Sequence, residues 1–225
     1  MDWRIECDRE TFEKCKADAK FPHIVALARA VNALNFVHSA MLHAEDGDAP
    51  EAERDRLNSY FFASAILYEG IKLIRAMNQT FKDDVPFQNG LRLFLRDPVA
   101  LQIEKTHLNP ARNQAVFHFV PDTFSKIINS ATVDTCVFAQ ARGQNKRHVR
   151  YSYADVVTAE ILVGFAANTE EFYETLGTAM ASTLDLVIRF ADEAEKLIGY
   201  HTAQWGFKVL EDSVAEYDIR KAEGD

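Results

Sequence analysis

Apolar positions recur at spacings of three and four along most of the chain, the spacing of one face of an α-helix. The clearest run covers 21–44. There Ile24, Leu27, Ala28, Val31, Leu34, His38, Met41 and Leu42 share a face, and Pro22 suits the first turn. A shorter, polar helix is predicted over 8–19. The stretch from Glu45 to Pro50 (Glu-Asp-Gly-Asp-Ala-Pro) reads as a loop by composition. Residues 51–82 predict a long helix. Its first turns are charged, but from Tyr60 to Leu67 it is apolar nearly all round, which suits a central position. Asp83 to Pro86 closes it. Shorter helices are expected over 87–96, stopping at Asp97-Pro98, and from Pro98 to His107. Asn109 followed by Pro110 then reads as the cap and first position of a new helix. That helix carries Arg112 and His118 and ends before Pro121. A further short one runs through Ile127 and Ile128.

The pattern changes between 133 and 153. Thr135-Cys136-Val137-Phe138-Ala139 and His148-Val149-Arg150-Tyr151-Ser152-Tyr153 favour strands, with Gly143-Gln144-Asn145 between them. This predicts a β-hairpin, the only one in the chain. Its tip is basic, with Arg142, Lys146, Arg147, His148 and Arg150. Such a tip is either a solvated surface or a contact for a phosphate backbone. Helical spacing resumes over 154–166 and 169–200, where Phe172, Leu176, Met180, Leu184, Val187, Ala191, Ala194 and Ile198 form a sustained face. The acidic tail from Glu211 is expected to fray or pack loosely. The fold expected is therefore all-α: an up-and-down helical bundle with a small β-hairpin insertion near residues 133–153, as one domain over 1–225.

Composition narrows the chemistry. Hydrophobic residues make up 48% of the 225, enough for a substantial core. The net charge of -9 argues against a general nucleic-acid coat but leaves a local basic site open. No apolar run follows a basic start, and no stretch approaches 18 uncharged apolar residues, so neither a secretory signal nor a membrane span is expected. Cys7, Cys15 and Cys136 are an odd count without a Cys-x-x-Cys pair, which fits a reduced, cytoplasmic protein. Glu104-Lys105-Thr106-His107 is one Glu-x-x-His pair, whereas a ferritin-like metal bundle needs two. No metal or other cofactor is expected. A Gly-x-Ser-x-Gly elbow and a phosphate-binding glycine loop are both missing from the sequence.

One segment carries distinctive chemistry: Arg112-Asn113-Gln114-Ala115-Val116-Phe117-His118. It resembles the signature of the HEPN superfamily, helical-bundle proteins that include RNases of toxin–antitoxin and abortive-infection systems. That motif is an arginine, usually a polar residue next, and a histidine after four to six intervening positions. Five intervene here, and asparagine follows the arginine. Arg142 and His148 share the spacing, but Gly143 follows and the segment reads as a turn. Long helices before the motif and Tyr68-Glu69 upstream also match the family's layout. The resemblance implies metal-independent RNA cleavage across a homodimer. His118 would act as general acid or base, Arg112 would stabilise charge on the phosphoryl oxygens, and Asn113 would orient one of them. Glu69 would support the site by holding Arg112 or tuning His118. Lys105 and His107 flank it and would add positive potential toward RNA.

Plainer readings stand beside this one. His118 lies between Phe117 and Phe119 and would also suit a satisfied, half-buried position. Arg112 would also serve as a structural partner for Glu69. On an ideal helix, positions six apart differ by about 120° in bearing, so Arg112 and His118 would not share a face without distortion or a second subunit. The alternative function is a non-catalytic bundle that binds RNA or a protein partner, an antitoxin or effector.

Overall fold

Asp8 opens the first helix by accepting a hydrogen bond from the Thr11 amide at 2.8 Å, and Asp84 and Asp97 open two later short helices by the same device. The computed structural model describes residues 2–45, 50–116, 121–130, 140–141, 149–150, 152–163 and 169–212. Strand β1 (Asp2–Glu6) precedes helix α1 (Arg9–Lys16). Helices α2 (Phe21–Glu45) and α3 (Pro50–Met77) follow, packed along each other. Two short helices, α4 (Val85–Asn89) and α5 (Leu91–Phe94), meet at Gly90 where one helix over 87–96 was expected. Helix α6 (Pro98–Ile103) starts as its sequence predicts, with Pro98 in the first turn and Asp97 accepting from the Val99 and Ala100 amides at 2.8 and 3.4 Å. Helix α7 covers Pro121–Ser130, α8 covers Ser152–Val163 and α9 covers Thr169–Gln204.

The architecture is an all-α bundle with a small antiparallel β pair where a hairpin was expected. Its strands are β2 (Gln140–Ala141) and β3 (Val149–Arg150). Thr135–Ala139, expected as a strand, lies outside the described residues. The expectation of a single strand pair needs correction. β1 also pairs antiparallel with β4 (Lys208–Asp212), in register from Asp2 opposite Asp212 to Glu6 opposite Lys208. Glu211 and Asp212, expected to fray, are held in that ladder. Local pattern did not reveal it because no turn joins strands some two hundred residues apart.

The main core is built by α2, α3 and α9. Leu27, Leu34, Leu67, Ile71, Ile74 and Phe190 are among its fully buried members. Helices α3 and α9 approach closely at Gly70, where a Cβ would lie 2.8 Å from Cζ of the Phe190 ring. Among the described residues one stretch, Phe21–Leu42 of α2, is long and apolar enough to cross a membrane by length and composition alone. It carries Arg29 on its exposed side and buries Ile24, Leu27, Val31, Leu34, Val37 and Met41 in the protein.

A second, smaller cluster gathers Met41, Tyr60, Phe61, Ala111, Ala159 and Leu176. It joins the end of α2 and the start of α3 to α8, α9 and the segment that carries the arginine motif.

Candidate functional site

Helix α6 does not stop at His107. The chain stays helical into Val116, but it widens to i→i+5 winding over Glu104–Leu108 and again over Ala111–Val116. Asn109 has φ -65° and ψ -48°, inside the helical region. It is therefore not the N-cap of a new helix, as the Asn-Pro pair suggested. Pro110 explains the winding. It has no N–H to donate four residues back, and its ring crowds that carbonyl, so an ordinary α-turn is unfavourable there. π-turns relieve such a clash, and they are frequent at functional sites.

The widened stretches lie against α3 and are fastened to it by two ion pairs. The Arg112 Nε donates to Glu69 Oε1 at 2.6 Å. Eight residues earlier, at the start of the first widened stretch, the polarity reverses, and both terminal nitrogens of Arg75 donate to the two carboxylate oxygens of Glu104. That fork matches a carboxylate in two bonds. The Glu104 carboxylate, the hydrogen bond first and its charge second, holds the Arg75 pKa above its ordinary value. Leu108 and Ala111 point inward and are fully buried.

Arg112 is half-buried. Its second terminal group, NH1, donates to Asn113 Oδ1 at 2.7 Å, and Asn113 Nδ2 donates in turn to Asn109 Oδ1. Lys72 Nζ donates to Glu69 Oε2 at 3.2 Å and lies 5.9 Å from the centre of the Tyr68 ring. A chain of contacts thus runs from Lys72 through Glu69 and Arg112 to Asn113 and Asn109. It fixes the guanidinium in place. It also half-neutralises it, so an incoming anion would share Arg112 with Glu69.

The structure brings together three of the expected site residues: Glu69, Arg112 and Asn113. Lys105 is exposed and His107 half-buried on the first π-wound stretch, about two turns and one turn before Arg112. His118 lies outside the described residues, as do Arg142, Lys146 and Arg147. Arg150 has its backbone in β3. The bearing of His118 relative to Arg112 lies outside the described residues; the winding over Ala111–Val116 is that of a π-helix.

Sequence reasoning missed one participant. Arg75 follows Glu69 by six residues on α3, spacing that repeats through Lys72, and this periodicity was the signal available. Outside the ion-paired chain, Glu160 lies on α8, a helix that packs against both π-wound stretches. Burial pushes its carboxyl pKa up. Among the described residues no cluster of three or more His, Cys, Asp or Glu side chains is placed to hold a metal. Of the cysteines, Cys7 is half-buried and Cys15 buried, both as free thiols, and burial chiefly raises the Cys15 pKa. Cys136 lies outside the described residues.

No protein family, curated protein or solved structure matches this chain. The reading of the site rests on its own residues and geometry.

Proposed function

We propose that this chain is a metal-independent RNA endonuclease of the HEPN kind, acting as a cytoplasmic homodimer whose two motifs line one cleft. The observation that supports it is the mounting of Arg112. Its guanidinium is held half-exposed by Glu69 and Asn113, on a π-wound stretch that leads toward His118. A preoriented guanidinium of this kind suits charge developing on a phosphoryl oxygen. In the reaction, the RNA 2′-oxygen bonds to the adjacent phosphorus and the bond to the 5′-oxygen breaks. His118 takes the hydroxyl proton or returns one to the leaving oxygen. Lys105, His107 and the basic tip with Arg142, Lys146, Arg147 and Arg150 serve the RNA backbone.

Incubation of purified protein with a mixed RNA pool in excess chelator tests this. The wild type is expected to cleave, and His118→Ala to be slower by roughly 10²–10⁴-fold, the usual contribution of acid–base catalysis. Cleavage that survives unchanged in His118→Ala, or no cleavage of any RNA, would overturn the proposal.

A second reading has its own support. Glu69 already neutralises Arg112, and the net charge of -9 suits a protein partner better than free RNA. On that reading the bundle binds an antitoxin or effector without cutting, and the same assay gives intact RNA.

A further inference from the structure

We infer that the cavity between the start of α3, α8 and the start of α9 is a binding site for a small apolar monocarboxylate. The cavity has a volume of about 350 Å³. Three helices converge on it. Phe172, Leu176 and Met180, at successive turns of one face of α9, supply most of the wall. Val156 from α8 and Leu57 from α3 complete it. At roughly 30 Å³ per water-sized group, this space holds about a dozen such groups, the body of a medium-length acyl chain or a bicyclic ring. It falls at the lower end of the range typical for small-molecule pockets, and its walls are apolar as such pockets require.

Two features argue for an occupant rather than a packing defect. The first is Gly177, in the middle of the α9 face, where an added Cβ meets no atom within 4 Å. A glycine inside a long helix is less favourable than alanine, yet here the chain leaves the space open. The second is Arg56. It lines the same cavity and, among the described residues, makes no hydrogen bond or ion pair. Arg9, Arg29 and Arg96, likewise without such a bond among the described residues, are exposed, whereas Arg56 is half-buried like Arg92, Arg112 and Arg189, which are all engaged. A guanidinium beside an apolar cavity takes an anion attached to an apolar body, and its planar fork fits a carboxylate. Asp155 also lines the cavity. Its negative charge works against a doubly charged phosphate and leaves room for a single charge. The cavity borders the second core cluster through Ala159 and Leu176, and that cluster includes Ala111, next to Arg112. The inference does not depend on the nuclease reading.

Calorimetric titration of the full chain with decanoate, decanol and decylammonium tests it. Decanoate is expected to bind with one-to-one stoichiometry, and decanol at least about tenfold more weakly, the effect of losing one charged hydrogen-bonded contact. Arg56→Gln is expected to erase that preference. Gly177→Leu fills the space with a better helix former and is expected to abolish decanoate binding while the thermal midpoint holds or rises. No decanoate binding overturns the inference. So does equal or tighter binding of decanol or decylammonium, or decanoate binding that Gly177→Leu leaves intact.

Discussion

The two hydrophobic clusters of this bundle are closed to different degrees, and the difference separates what holds the fold from what is left for function. The main cluster is sealed at its end by a buried polar clasp. Lys20 Nζ donates to Asp84 Oδ2 at 2.6 Å, and His201 Nε2 stands 3.0 Å from the same oxygen. Asp84 also caps α4 by accepting from the Phe87 amide at 3.1 Å. Trp205 covers the clasp and donates its indole N–H to Asp18 at 2.9 Å. Phe81 and Trp205 both place their rings 5.5 Å from that of His201. The second cluster has no such seal. It borders an open cavity, and the Tyr60 hydroxyl is buried there beside the Thr183 and Ser64 hydroxyls. The packing is closed in one half of the molecule and leaves an open cavity in the other.

Truncation should expose that asymmetry most strongly. Phe190→Ala removes a fully buried ring that packs against α3 at Gly70. It is expected to destabilise by about 3–5 kcal/mol, as ring deletions in tight cores do. Leu176→Ala enlarges a cavity that already exists. Its loss should fall at or below about 2 kcal/mol, the lower end for such a change. Urea unfolding of both variants measures the gap. Equal losses would mean that the two clusters are packed alike and would sink the comparison.

The clasp also makes the sealed half responsive to acid. Burial pushes the His201 pKa below its ordinary 6.5, against the opposing pull of Asp84 and Asp18, with Lys20 acting in the same direction as burial. For Asp84 burial works upward, but the Lys20 and Phe87 hydrogen bonds and the charges of His201 and Lys20 together outweigh it, so the pKa falls below 3.8. The signs agree. As pH drops through 6.5 the unfolded histidine takes a proton that the folded one resists, and stability falls. Below 3.8 the unfolded aspartate does the same, and stability falls again. The urea midpoint should therefore decline between about pH 7 and pH 5, and His201→Gln should flatten that decline. A slope left intact in the variant would remove His201 from the account.

Much of the sealed half was legible from sequence. Ile24, Leu27, Val31 and Leu34 announce their buried face by spacing alone, and Asp97-Pro98 marks a helix start that the structure keeps. Pairings across long separations were not. Nothing local links Lys20, Asp84 and His201, or joins β1 to β4. The open half misled for a subtler reason. Asn109-Pro110 satisfies the rules for a helix start, but a proline's demand on backbone can be met equally by widening the helix. Packing of Leu108 and Ala111 against α3 favours that second solution. Of the motif, the Glu69–Arg112 pairing was foreseen as one of two readings, while the Arg75–Glu104 staple beside it was not.

The smallest effect is the one that bears most on the candidate site. Glu69 and Arg112 are both partly exposed, with 41% and 26% of their side-chain surfaces open. An ion pair so placed contributes about 0–1 kcal/mol, because water screens it and ordering two long side chains opposes it. Glu69→Gln should therefore leave the unfolding midpoint almost where it was. Its consequence for Arg112 is larger. The amide keeps the shape of the carboxylate but not its charge, so the guanidinium retains a hydrogen-bond acceptor and loses its neutralising partner. If Arg112 exists to meet phosphate, RNA should bind more tightly to Glu69→Gln, and Arg112→Lys should weaken binding because an ammonium lacks the planar fork. If the pair exists only to fasten the π-wound stretch to α3, both substitutions should alter stability slightly and RNA affinity not at all. Measuring RNA affinity and urea midpoint on the same two variants separates a guanidinium held ready for an anion from one that serves as a strut.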